Sequence, residues 1–102
     1  METQKTISDW AESVFGPSSS NARVAARANE EMAELLRILT ADDQNIVDAA
    51  EEIADVIIVL SRLATRMGID LAYEIDRKMQ INRKREWKLD GSGARLSCAG
   101  ER

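Results

Sequence analysis

The segment from residue 44 to residue 67 contains neither glycine nor proline and is followed by Gly68. Its centre, Val56-Ile57-Ile58-Val59, would suit a β-strand if it stood alone. Because the segment is much longer than a strand and continues into further leucines, its pattern favours a helix. Apolar residues occupy most of the circumference of that helix around its middle. A helix of this kind must be buried on all sides, so it is expected to lie inside a bundle.

The remainder of the chain also predicts helices, and its only proline is Pro17. A short first helix is expected, with Thr6 or Ser8 as its N-cap, and three longer helices follow, with Ser20 or Asn21 capping the second and Asp70 the fourth. The predicted helices cover about residues 6–15, 22–39, 44–67 and 71–87. We therefore expect an all-α, four-helix domain over residues 1–89 and a glycine-rich, flexible tail over residues 90–102.

Length and charge limit the partners of the chain. A chain of 102 residues suits one domain with a modest core, which can hardly cover the third helix alone, so we expect a homodimer or homotetramer. The net charge of −4 does not favour a nucleic-acid polymer as partner. No apolar run has the roughly 20 residues of a membrane span, and the first ten residues lack the apolar centre of a signal peptide. A cytoplasmic protein without a membrane partner is expected.

The chain contains no histidine, and Cys98 is its only cysteine. This composition excludes histidine-dependent serine and cysteine triads, histidine metal ligands, cysteine metal clusters and an intrachain disulfide. A metal ion in this protein would be bound by oxygen atoms.

Two pairs of acidic residues could supply those oxygen atoms: Glu31 with Glu34, and Glu52 with Asp55. The members of each pair are three residues apart, so on a helix they are neighbours. Both pairs lie within apolar sequence, where unpaired carboxylates are costly to bury. Antiparallel packing of the second and third helices would bring the pairs to similar depth, because each is a similar distance from the connector. Carboxylates gathered beside a core indicate a cation, and Mg²⁺ prefers such hard oxygen ligands.

A second interpretation stays open at this point. Acidic pairs three residues apart are most often solvated helix faces, and Glu30 and Glu51 suit that description. The chain would then be a non-catalytic helical module for oligomerisation, regulation or nucleotide binding. A melting temperature that does not respond to Mg²⁺ would favour this interpretation.

The acidic residues also carry a family resemblance. Glu30-Glu31-x-x-Glu34, followed by 17 residues and then Glu52-x-x-Asp55, resembles the EExxE…ExxD signature of the MazG-like, all-α NTP pyrophosphohydrolases. The likeness extends to ADVII, RLATRMGIDL and KMQINRKREW. The opening DWAESVFGP is similar to that of the dATP/dGTP diphosphohydrolase branch, so the resemblance covers roughly residues 8 to 90.

The resemblance implies a MazG-like bundle that hydrolyses a nucleoside triphosphate, with a purine deoxynucleotide as the expected substrate. Cleavage between the α- and β-phosphates would give the monophosphate and pyrophosphate. Mg²⁺ is the expected cofactor, with Mn²⁺ as a possible substitute. The expected ligands are four carboxylates, and a carboxylate must also act as the base because there is no histidine. The ligands are Glu31, Glu34, Glu52 and Asp55, and the candidate bases are Glu34 and Glu30.

Further residues are candidates for binding the nucleotide. Lys78, Asn82 and Arg85 share one face of the fourth helix, and the resemblance also places phosphate binding in this stretch. The alternative is a solvated basic face. Trp10 and Phe15 could stack against the base, although an aromatic residue on a short amphipathic helix is more often part of the core.

Overall fold

The computed structural model describes residues 1–18, 20–85, 87–89 and 95–97. Four helices and a short antiparallel ribbon follow one another along the chain: α1 (Gln4–Phe15), α2 (Asn21–Thr40), α3 (Ile46–Arg66), α4 (Leu71–Lys84), β1 (Trp87–Leu89) and β2 (Arg95–Ser97). The chain divides into two compact units, Met1–Asp70 and Leu71–Arg102. The predicted order of a short first helix and three longer ones is confirmed. No helix among the described residues combines the length and apolarity needed to span a membrane.

The first helix begins earlier than its sequence pattern predicts. Its N-cap is Thr3, whose side chain accepts a hydrogen bond from the backbone of Thr6, while the side chain of Thr6 accepts one from the backbone of Thr3. This reciprocal arrangement is a capping box with threonine where glutamate or glutamine is usual. The prediction that Thr6 or Ser8 caps the helix is therefore wrong, because Thr6 is already inside the first turn. At the other end, Gly16 adopts a φ of 75°.

The second and third helices form a hairpin whose connector is residues 41–45. Ser20 caps α2 by accepting a hydrogen bond from the backbone of Arg23, as predicted. Asn45 caps α3 by accepting one from the backbone of Asp48. A connector this short favours antiparallel packing of the two helices as neighbours.

Gly68 ends α3, as predicted. Its φ of 71° is in the left-handed region that glycine adopts easily. The backbone N–H of Ile69 donates to Ala64 at 2.8 Å, and that of Gly68 donates to Thr65 at 3.0 Å. These two hydrogen bonds constitute a Schellman motif and satisfy carbonyl groups in the last turn of the helix.

The core of the first unit is built from small and medium apolar side chains of α1, α2 and α3. The most buried of these residues are Ala11, Val24, Ala28, Leu35, Val56 and Ala64. Between α1 and α3 the contact is polar, because the buried Ser8 hydroxyl lies 2.8 Å from the Thr65 hydroxyl. Small residues at this contact let the two helices approach closely, and this fixes the position of α1 on the hairpin.

The second unit departs from the sequence prediction at its C-terminal end. The fourth helix begins at Leu71 as expected but ends at Lys84 rather than at residue 87. Trp87–Leu89 is instead a strand, which pairs with Arg95–Ser97 so that Lys88 lies opposite Leu96. Apart from this second strand, the predicted tail over residues 90–102 lies outside the described residues.

Candidate metal and nucleotide site

Three carboxylates meet where α2 packs against α3. One oxygen atom from each of Glu31, Glu52 and Asp55 lies within 4.8 Å of the others. Glu31 comes from α2, and the other two lie one turn apart on α3. The helical hairpin therefore brings together three of the four residues predicted to bind metal. This agrees with the prediction that the two acidic pairs, at similar distances from the connector, lie at similar depth. We call these three residues the acidic cluster.

Glu52 shows the electrostatic cost of this arrangement. Its pKa is raised to about 7, first by a hydrogen bond with Glu31, then by burial, and then by the negative charges of Glu31, Asp55 and Glu34. Among the described residues, the buried Oε2 atom of Glu52 has no hydrogen-bond partner. Buried polar atoms are rarely left without a partner, so this oxygen requires an explanation. A divalent cation among the three carboxylates would provide one, because it would coordinate this oxygen and offset the repulsion between the negative charges.

The remaining two acids of the motif lie at the edge of the cluster. Glu34 accepts a hydrogen bond from Arg37 at 2.9 Å, and its side chain is 47% exposed. Glu30 pairs with Arg27 at 3.3 Å and is also exposed. Neither has an oxygen atom within the group of three, although the charge of Glu34 contributes to the shift at Glu52. Their roles as ligand or base remain predictions.

A cavity of about 320 Å³ lies beside the cluster. Trp10 and Phe15 both line it, with their rings edge to face and the ring centroids 5.6 Å apart. The volume is at the lower end of the range found for small-molecule sites. The cavity is lined by Trp10, Ala11, Phe15, Val24, Arg27, Ile58, Val59 and Arg62. The two aromatic residues proposed to bind the base thus share one largely apolar space.

Arg27 connects the cavity to the acidic cluster. It lines the cavity, and its Nη2 atom lies 3.5 Å from Oε1 of Glu31. A molecule with one apolar ring system and one metal-binding group could therefore occupy both places at once. Arg27 is not among the residues predicted from the sequence, although its position three and four residues before Glu30 and Glu31 is a detectable signal.

Arg62 is the second residue that sequence analysis left without a role. Its guanidinium carbon lies 5.7 Å from the centroid of the Phe15 ring, within the range of a cation–π contact. Asp55 and Arg62 are seven residues apart on α3, so they share a helix face. The face of α3 that carries the candidate metal ligand Asp55 therefore also carries one wall of the cavity.

The predicted phosphate-binding residues belong to the second unit. Lys78 and Asn82 lie on α4, and Arg85 follows the end of that helix. The Nη1 atom of Arg85 donates to the side-chain oxygen of Asn82 at 3.4 Å. Lys78 and Asn82 lie on one helix face, as predicted, but the prediction that Arg85 shares it is wrong, because α4 ends at Lys84. The binding of phosphate by these residues stays a prediction.

Comparison with known proteins agrees with this geometry. The MazG-like family model matches residues 28–94, which include both acidic pairs. A dATP/dGTP diphosphohydrolase of Salmonella phage PMBT28 is 37% identical over 85% of this chain, and the chain spans only 27% of that relative's length. A dATP/dGTP diphosphohydrolase of cyanophage S-2L is 33% identical over 97% of this chain and 88% of the relative.

A solved structure extends the likeness to three dimensions. It is the MazG-like pyrophosphohydrolase of cyanophage S-2L, bound to dGDP and three catalytic Mn²⁺ ions per active site. The TM-score is 0.75 and the identity 31%, over 96% of this chain and 91% of that one. The chain belongs to the MazG-like family.

Proposed function

We propose that this protein is a metal-dependent pyrophosphohydrolase that cleaves a purine deoxynucleoside triphosphate to the monophosphate and pyrophosphate. The observation that carries the proposal is the acidic cluster beside an aromatic cavity, with an unpaired buried oxygen on Glu52. The names of the relatives, dATP/dGTP diphosphohydrolases, support the substrate class. A cytoplasmic location is proposed with this activity, because its substrate would be a free deoxynucleotide.

The acidic cluster would hold Mg²⁺, or Mn²⁺ in its place. Carboxylate oxygens from two helices suit either ion, and the Mn²⁺ ions of the solved MazG-like structure support this assignment. Held by these carboxylates, such an ion would supply charge neutralisation at the phosphates and a site for the attacking water. Glu34 is assigned both as a ligand and, with Glu30, as a candidate base, because its carboxylate lies one turn from Glu31.

The aromatic cavity would hold the purine. Trp10 and Phe15 offer apolar ring surface, and Arg27 lies between this surface and Glu31. The phosphates would then extend toward the acidic cluster. Lys78, Asn82 and Arg85 stay proposed for the β- and γ-phosphates, because the family resemblance places phosphate binding in this stretch. Positioning the α-phosphate near the cluster leads to release of pyrophosphate rather than orthophosphate.

A panel of deoxynucleoside triphosphates with Mg²⁺ tests the proposal. Pyrophosphate should be released from dGTP and dATP in preference to dCTP and dTTP. Glu34→Gln should lower kcat by at least about 100-fold, which is the scale of general-base catalysis. Glu51→Gln is the matched control, because Glu51 is exposed, and it should retain full activity. Orthophosphate as the product, or full activity of Glu34→Gln, would contradict the assignment.

Exposed apolar side chains support assembly into a homodimer or homotetramer. Met32 and Leu36 on α2, and Ile53 and Ile57 on α3, are between 47% and 62% exposed in the single chain. In each pair the residues are four apart and so lie on one stripe of the helix. Contiguous exposed apolar surface is typical of protein interfaces.

A further inference from the structure

Arg62 is held in place by the last turns of α1 and by Gly16, which follows the helix. Its Nε atom donates to Oε1 of Glu12 at 3.3 Å, and its Nη2 atom donates to the carbonyl of Gly16 at 2.9 Å. The side chain is only 13% exposed. These two contacts fix one edge of the planar guanidinium group, so the direction of its remaining nitrogen is also fixed.

The remaining nitrogen is Nη1. Within the described part of the chain it donates no hydrogen bond, although Arg62 lines the cavity with Trp10 and Phe15. The guanidinium group has five N–H donors and no acceptor, so Nη1 can donate to a ligand. A ligand in the cavity would therefore meet one charged donor beside two aromatic rings.

We propose that Nη1 of Arg62 donates a hydrogen bond to N7 of the purine base, which makes Arg62 the residue that distinguishes purines from pyrimidines. The inference rests on the proposed function, because it assumes that the cavity binds the base. N7 is an acceptor in both adenine and guanine, whereas position 6 carries a donor in adenine and an acceptor in guanine. A contact to N7 therefore suits both dATP and dGTP, and pyrimidines have no equivalent atom.

Arg66 provides a matched control. It lies one turn beyond Arg62 on α3 and shares the same Oε1 atom of Glu12, at 3.1 Å. It also donates to a loop carbonyl, that of Ser18, at 2.9 Å. It is similarly shielded, with 18% exposure, but does not line the cavity. Arg66 also donates from Nε to Asn21 at 2.9 Å. Arg66→Met therefore removes at least as many structural contacts as Arg62→Met, and only Arg62→Met removes the proposed donor.

Equilibrium binding of dGDP and 7-deaza-dGDP in the presence of Mn²⁺ tests the inference. The second nucleotide has carbon in place of N7, and so it cannot accept the hydrogen bond. For the wild-type protein, Kd should be about 10- to 100-fold higher for 7-deaza-dGDP, the scale of a hydrogen bond to a charged group. Arg62→Met should bind both nucleotides equally and weakly, whereas Arg66→Met should keep the wild-type ratio.

Equal affinity of the wild-type protein for the two nucleotides would overturn the inference, and so would an unchanged ratio in Arg62→Met. The wild-type comparison needs no variant, so it can overturn the inference even if Arg62→Met does not fold. Pyrophosphate release is measured separately. If dGTP is turned over but dGDP and 7-deaza-dGDP bind equally, only the role of Arg62 is contradicted. If dGDP binds more tightly than 7-deaza-dGDP but no pyrophosphate is released, only the proposed function is contradicted. Absence of both dGDP binding and dGTP turnover would overturn both.

Discussion

At the scale of single residues, Glu52 is subject to two opposing requirements on its protonation state. Burial and three neighbouring acids favour its protonated form, while binding of a cation requires its ionised form. The sequence could predict that Glu31, Glu52 and Asp55 converge, because helical periodicity and a short connector determine their positions. It could not predict Arg27 and Arg62 in the cavity wall, because their positions depend on how α1 packs against α3.

The raised pKa of Glu52 makes a prediction for the metal-free protein. Its pKa is about 7 in the folded state against a usual value of 4.5, so the folded state binds more protons between these values. The free energy of unfolding should therefore fall as pH rises from about 5 to 7 and then level off. The pKa of Glu12 is lowered by hydrogen bonds with Arg62 and Arg66, so its stabilising contribution is lost only at more acidic pH.

Thermal denaturation in EDTA across pH 5 to 8 measures this effect. Glu52→Gln should flatten the profile and raise the melting temperature at pH 8, and Glu51→Gln should reproduce the wild-type profile. Mn²⁺ competes with the proton, so its affinity should increase through pH 7 in the wild-type protein. Its affinity for Glu52→Gln should be lower by at least about 10-fold, because a ligand is lost. A wild-type melting temperature that is constant over this range would contradict the assignment.

At the scale of helices, the sequence predicted the helix interiors correctly but not all of the helix ends. Ser20 and Gly68 carry the usual signals for a helix start and a helix end, and both act as predicted. The start of α1 was missed because its capping box uses Thr6 at a position where glutamate is the recognised signal. The end of α4 was missed because Trp87 continues the helical pattern in sequence, whereas its backbone pairs with Ser97.

The two glycines at helix ends give a prediction about stability. Gly68 has a φ of 71° and Gly16 a φ of 75°, and a Cβ atom at either position would meet nothing within 4 Å. Only backbone strain therefore opposes replacement by alanine. Gly16 combines its φ with a ψ of 174°, a conformation that is essentially restricted to glycine. Gly68→Ala should cost about 1 kcal/mol, and Gly16→Ala more, up to about 3 kcal/mol.

Urea denaturation of both variants at one pH measures these costs. Gly68 is distant in sequence from the acidic cluster, so Gly68→Ala should bind Mn²⁺ with wild-type affinity. A smaller loss for Gly16→Ala than for Gly68→Ala would contradict the strain argument, since open space at both positions removes steric differences.

At the scale of the whole molecule, the apolar third helix has more apolar surface than the first unit covers. Val56 is buried, whereas Ile53 and Ile57 are each 51% exposed. The sequence predicted this excess, because apolar residues surround the middle of α3. It does not predict which copies meet or how many, because that depends on the shape of the complete surface rather than on the periodicity of one helix.

Assembly through this surface gives the last prediction. A charge at Ile57 would have to be desolvated at an interface, so Ile57→Glu should reduce the mass measured by sedimentation to that of the monomer. Val14→Glu is the control, because Val14 is a similarly exposed apolar residue, at 55%, on α1. It should leave the mass of the assembly unchanged. A wild-type protein that sediments as a monomer at all concentrations would contradict the proposed assembly, and the exposed stripes of α2 and α3 would then require another partner.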